Sequence, residues 1–363
     1  MHPAERLLAT MFDREYAALA GRASSAICAL LTALDRKGSI VLLPANTCFI
    51  VLWAVIASGY RAQLVDIDLQ TGGIDPRLLA SIDTHDVSVI ITHHFGGIPS
   101  DIQSLMVWAR AHNVFVIEDC AIAFGAKILS VPLGSFGDAA VFSFGVDKIV
   151  DFRGGGLVAV SSFDLFKEVV VLANDYAKYS RTTQHLEREW DDVYWGLHRH
   201  EGTARRLEAH YPTLFQAYQS IMKSRAQENL ADRLLDLLPH IPELLQARRE
   251  RESILMGTLP TDELVLPRNE YANPLWKFSF LVHHDLRDDV LAALWEMNVI
   301  HTTCWYPSLV PMANVLQPEF PQQPMPNATL WGASIINLPL DDKMTPLLAK
   351  RADVAIRNVL GIS

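Results

Sequence analysis

The chain has 363 residues, 50% of them hydrophobic and 20% charged, which is enough apolar material for two packed cores. A net charge of -10 leaves no basic excess to displace counterions from phosphates, so a nucleic-acid backbone is excluded as a partner. The four cysteines, Cys28, Cys48, Cys120 and Cys304, include no CxxC pair and suit reduced thiols better than a disulfide framework.

Residues 1–22 mix acids, bases and apolar residues without the unbroken apolar run of a signal peptide, so residence in the cytoplasm is expected. Gly21-Arg22-Ala23-Ser24-Ser25 then opens an apolar helical stretch that runs to Leu34. Ile40 to Ser58 is the most apolar segment, but Pro44, Asn46 and Thr47 divide it into strand, turn and helix, which argues against a membrane span. Strands are predicted at Val41 to Leu43, Arg61 to Asp66, Val87 to Thr92, Val114 to Glu118 and Ala139 to Phe144. Helices are predicted between them at Phe49 to Ser58, Pro76 to Ser81 and Ile102 to His112. Such alternation is the rhythm of a largely parallel sheet covered on both faces, with ligands at the carboxyl ends of its strands. From Phe163 to about Ser253 the sequence is charged and helical, as in LEREW, ARRLEA and ADRLLDLL. Beyond Thr258, the segments Trp276 to Val282, Asp285 to Met297 and Pro346 to Leu360 suggest a smaller α+β unit. The expected division is a large domain over 1–245, including the helical part from 163, and a small domain over 246–363.

Three places carry candidate chemistry. In VFSFGVDKIVDFRGGG, Val141 to Gly156, a buried strand runs into a polar turn with a lysine, Lys148, which can form a Schiff base with an aldehyde cofactor. In VIED, Val116 to Asp119, an apolar strand ends on Asp119, which can pair with a pyridine nitrogen. At Ala23-Ser24 a helix start can offer N–H groups and hydroxyls to a phosphate. Each has a plainer reading taken alone: a solvated loop lysine, a helix cap, an N-capping serine. The pairs His93-His94 and His198-x-His200 lack a completing acid or cysteine, so no metal is expected. The triple glycine Gly154 to Gly156 lacks the Lys-Ser/Thr ending of a phosphate-binding P-loop and is expected to turn the chain back into a strand.

Together the three resemble the DegT/StrS-type sugar aminotransferases, a branch of the fold-type I enzymes that use pyridoxal 5′-phosphate (PLP). Further landmarks stand in the same order: LPANT at Leu43, VDID at Val65, HHFGGIPSDI at His93, WYP at Trp305 and NLPL at Asn337. The resemblance implies a large α/β/α domain with a mostly parallel sheet, a smaller C-terminal domain, PLP as cofactor and a homodimer. It implies transfer of an amino group from glutamate or glutamine to a keto-sugar, nucleotide-linked, for polysaccharide or natural-product assembly. On it, Lys148 holds the cofactor, Asp119 faces its ring nitrogen, and Ala23, Ser24 and Ser143 hold its phosphate. The sequence departs from the family at Ile122, where a glutamine usually stands near the ring oxygen, and at Cys48, where an aromatic usually stacks on the ring. Trp305-Tyr306-Pro307 replaces a His-Tyr-Pro, making Trp305 and Tyr306 candidate substrate contacts. Gln219 is the nearest match to a residue that reaches the partner subunit's phosphate. The rival readings are a sugar dehydration, disfavoured because dehydrating relatives place histidine at the Lys148 position, and a fold-retaining binding or regulatory protein without turnover.

Overall fold

The computed structural model describes residues 1–178, 180, 182, 183, 185, 186, 188, 189 and 208–362. LEREW, ARRLEA and His198-x-His200 lie wholly or partly outside the described residues. Among these, the chain begins with α1 (Pro3–Met11), β1 (Tyr16–Ala20), α2 (Ala23–Leu34), β2 (Ile40–Pro44), α3 (Phe49–Ala57) and β3 (Arg61–Val65). A 3-10 turn at Pro76–Ser81 is followed by β4 (Val87–His93), α4 (Ile102–Ala111) and β5 (Phe115–Asp119). A small hairpin, β6 (Lys127–Ile128) with β7 (Val131–Pro132), precedes β8 (Ala139–Ser143), β9 (Gly156–Val160) and α5 (Phe163–Asp175).

The central sheet has seven strands in the order β1-β9-β8-β5-β4-β2-β3. Pairings among β3, β2, β4, β5 and β8 are all parallel, whereas β9 runs antiparallel to both β8 and β1. The predicted strands are therefore present with ends displaced by a residue or so, and β9 is the strand expected after the glycines. The middle strands β2, β4 and β8 are buried throughout, which is why they read as unbroken apolar runs rather than as alternating ones. From β2 the chain moves outward to β3, then returns to place β4 on the other side of β2. Right-handed crossovers in opposite directions put α3 and α4 on opposite faces and open a crevice at the reversal, outside the carboxyl ends of the strands.

A second pair of strands, β12 and β13 as β10 (Ala177–Lys178) and β11 (Ser224–Arg225) precede them, is formed by Lys277–Leu281 and Ile335–Pro339 running antiparallel. Phe278, Phe280, Ile336 and Leu338 from this pair build a second core with Val290, Leu294, Ala352 and Ile356 of helices Arg287–Glu296 and Pro346–Leu360. Helix Ile241–Met256 runs unbroken through position 245/246, with Ile241 in the first core and Leu255 in the second. No helix among the described residues is long and apolar enough to cross a membrane.

Candidate active site

A cavity of about 1440 Å³ opens at the carboxyl ends of the strands. Its floor is set by strand termini: His93 closes β4, Asp119 closes β5 and Ser143 closes β8, and all three line it. At the sheet's end beside β9, α2 begins with Ala23 and Ser24 on the cavity wall and Arg22 as an N-cap whose side chain makes no capping bond. Its first N–H groups therefore lack a capping side chain from the N-cap residue, which is the local condition for binding an anion. The close fit of this corner depends on glycine. A Cβ on Gly156 would lie 2.3 Å from the Arg22 carbonyl carbon, and one on Gly21 would lie 2.5 Å from the Ser224 carbonyl oxygen.

Lys148 sits on the loop between β8 and β9 and is half-buried at the cavity wall. The loop folds back on its own start, because Phe152 and Gly154 both donate their N–H to the Phe144 carbonyl, and Gly155 donates to Gly21 at 2.7 Å. Asp151 orders it further by accepting from the N–H of Asp147 at 2.9 Å and of Arg153 at 2.7 Å.

Asp119 is buried, and one of its oxygens accepts from the Ala121 N–H at 3.0 Å. Burial raises its carboxyl above the usual range, while that N–H and the charge of Lys148 oppose the rise. Beneath it, Glu118 has the opposite balance. Burial pushes its carboxyl up, but the His94 ring and the N–H groups of Gly137 and Gly134 outweigh this and hold it below the usual range. The two adjacent histidines diverge: His94 bonds Glu118 at 3.0 Å below the sheet edge, whereas His93 lines the cavity and bonds the Gly72 carbonyl at 2.8 Å. Burial lowers the His93 ring to about 4, so it is neutral near pH 7.

The cavity wall also holds Ile122, Cys48, Trp305 and Tyr306. Ile122 is buried and offers no polar atom there. Cys48 has its thiol raised by burial, with Lys148 opposing, and so lacks the low pKa of a reactive thiolate. Phe49, the neighbouring aromatic, is buried with its ring edge-on to Trp53 at 4.9 Å. Tyr306 is buried and stacks on Trp276 at 6.4 Å, while Trp305 is half-buried beside both. Asn337 fixes this segment by donating to the carbonyls of Thr303 and Trp305 at 3.2 and 3.0 Å. The hydroxyls of Ser24 and Ser143 have local partners: Ser24 donates to the Met222 carbonyl at 3.1 Å, and Ser143 accepts from the Gly145 N–H at 3.3 Å. Gln219 stands apart, exposed on helix Tyr211–Met222 and away from the cavity lining.

Sequence reading missed the wall residues Asp147, Arg248, Lys277 and His301, and with them Trp276, whose ring lies against the Lys148 ammonium. One signal for Lys277 was present, since a lysine inside the strand Trp-Lys-Phe-Ser-Phe is unusual in an otherwise apolar run. The arrangement offers an anion cradle at a helix start, a buried carboxylate and an amine on one cavity.

The model of the DegT/DnrJ/EryC1/StrS aminotransferase family matches residues 3–352. The chain is 26% identical over 344 residues to the dTDP-3-amino-3,6-dideoxy-alpha-D-galactopyranose transaminase of Aneurinibacillus thermoaerophilus, covering 94% of this chain and 85% of that one. Its fold matches the aminotransferase from Psychrobacter cryohalolentis with a TM-score of 0.77 at 22% identity, over 99% of this chain and 90% of that one. It also matches NtdA of Bacillus subtilis, solved with bound cofactor PMP, with a TM-score of 0.71 at 19% identity, over 99% and 76% of the two chains. At these identities the solved structures speak for the fold, but the family model spans nearly the whole chain: the protein belongs to the DegT/DnrJ/EryC1/StrS aminotransferase family.

Proposed function

We propose that the protein is a PLP-dependent aminotransferase that moves an amino group from glutamate or glutamine to a nucleotide-linked keto-sugar, working in the cytoplasm as a homodimer. The observation that carries this reading is that Lys148, Asp119 and the uncapped start of α2 all line one cavity. The fit to PLP is chemical. Asp119, a buried carboxylate that accepts from a backbone N–H and has no salt-bridge partner among the described residues, calls for a cation, which a protonated pyridine nitrogen would provide. A helix start without a side-chain cap calls for an anion, which the phosphate provides.

When bound, PLP supplies an aldehyde that takes up amino groups and a ring that withdraws electrons from the substrate carbon. Lys148 would hold the aldehyde end through its Nζ and, as a free amine on the cavity wall, would carry the proton to and from the substrate carbon. Asp119 would keep the ring nitrogen protonated. Ala23, Ser24 and Ser143 anchor the phosphate, and Gln219 is the residue offered to the partner's site. Ile122 and Cys48 shape the cavity around the ring without adding a hydrogen bond or an aromatic face, while Trp305 and Tyr306 present indole and phenol to the sugar. The acceptor class comes from the dTDP-sugar transaminase to which the chain is similar.

The test is to load the protein with PLP, reduce with borohydride and map the labelled amine by mass spectrometry. The label is expected on Lys148, and glutamate is expected to convert the bound cofactor to its pyridoxamine form. A label on another amine, or turnover that survives Lys148→Ala within about tenfold, overturns the reading, since loss of a proton-transferring group costs on the order of 10²–10⁴-fold.

A further inference from the structure

The Lys148 loop meets the start of β12 at the dipeptide Trp276-Lys277. The Trp276 indole N–H donates to the Asp147 carbonyl, and the Lys277 ammonium lies 2.7 Å from an Asp147 carboxylate oxygen. Both contacts fall on the residue immediately before Lys148, and that residue is in the left-handed conformation, with φ 61°. A non-glycine residue in this region is strained and persists where its surroundings enforce it. The Lys148 ammonium lies over the same indole, 5.9 Å from its centroid, with the Lys277 ammonium at 5.0 Å.

The indole is itself fixed from several sides. The Trp276 backbone N–H donates to the Gly96 carbonyl at 2.8 Å, the backbone carbonyl accepts from Arg248 at 2.8 Å, and the ring stacks on Tyr306. On β12, Phe278 and Phe280 point into the second core, so strand alternation turns Lys277 toward the cavity. Its side chain is 3% exposed, while that of Asp147 is 43% exposed. Burying an ammonium against one part-exposed carboxylate is a poor device for stability, because apolar replacements of such pairs are often neutral or stabilising.

We propose that Trp276 and Lys277 are positioning residues for Lys148: they clamp Asp147 in its left-handed turn so that the next side chain is laid across the indole and into the cavity. The inference rests on the reading of Lys148 as the cofactor lysine and adds how this chain aims it.

The test follows the rate at which apo-protein forms its Schiff base with PLP, read by visible absorbance, in Lys277→Met, Asp147→Asn, the double variant and Lys277→Arg. Misplacing a reacting group by about 1 Å can cost on the order of 10²-fold. Lys277→Met and Asp147→Asn are each expected to slow the step by roughly tenfold or more, Lys277→Met at an unchanged thermal midpoint and Asp147→Asn at a lowered one because it leaves the buried ammonium without its carboxylate, and Lys277→Arg is expected to keep most of the rate. The double variant is expected to be no slower than the slower single one, since both cut the same link. An unchanged rate in Asp147→Asn overturns the clamp, even where Lys277→Met fails to fold, and so do single effects that multiply independently. A parent protein that forms no adduct at Lys148 overturns instead the functional reading beneath it.

Discussion

Asp119 is 5% exposed, and its carboxylate has one backbone N–H as hydrogen-bond partner among the described residues; burial holds it away from water, and its proton affinity rises. The folded carboxyl titrates above the unfolded one, so the folded apo-protein binds the extra proton, and stability falls as pH rises from the ordinary carboxylate range through the raised value. The thermal midpoint of Asp119→Asn apo-protein, taken relative to the parent, is therefore expected to rise with pH from the ordinary carboxylate range through the raised value, since the variant lacks this loss. The same variant is expected to bind PLP on the order of 10²-fold more weakly, as suits ~3 kcal/mol for orphaning a buried charge. A midpoint profile unaltered by the substitution would contradict the account. Lys148, Asp119 and Ser143 were readable because each stands at or just beyond the end of an apolar run, where a sheet presents its ligand edge. Lys277 carries no such marker, and its direction depends on which face of β12 the second core covers.

The start of α2 is shaped by β9 more than by its own residues. A Cβ at Gly156 meets backbone atoms of Arg22 and Ala23, none of which can yield without moving the helix start, whereas a Cβ at Gly154 meets the end of the Gln227 side chain at 3.2 Å. Gly156→Ala is expected to cost about 1–3 kcal/mol in an unfolding titration and to weaken PLP binding, while Gly154→Ala changes either by much less. Equal effects would remove the link between β9 and the anion cradle. These elements also mark where local preference yields to context. Tyr16–Ala20, YAALA, is rich in strong helix formers, yet it is the edge strand β1, paired residue for residue with β9. The two-residue period cannot be seen in a run of small apolar side chains, and the pairing that decides it comes from residues 156–160.

The two cores share helix Ile241–Met256, whose buried Arg248 donates to the carbonyls of Leu275 and Trp276 beside the cavity. Damage to the second core should thus be felt at the site. Leu255→Ala, at a fully buried position, is expected to lower stability by roughly 2–5 kcal/mol and to weaken PLP binding, with one cooperative unfolding transition. Two separated transitions, with binding untouched, would mean that the cores fold and act independently.

Read alone, the residues determined the order of strands and helices after residue 22, the parallel sheet and the lysine and aspartate at its edge. These follow from apolar period and from glycine and proline punctuation, which are local properties. Which distant side chains close over that edge was decided only by the folded chain. Trp276 reaches Asp147 across 129 positions of sequence, and Lys277 faces the cavity because its neighbours are buried on the other side of the strand. Such facing is set by packing summed over the whole second core, and no short stretch of sequence contains it.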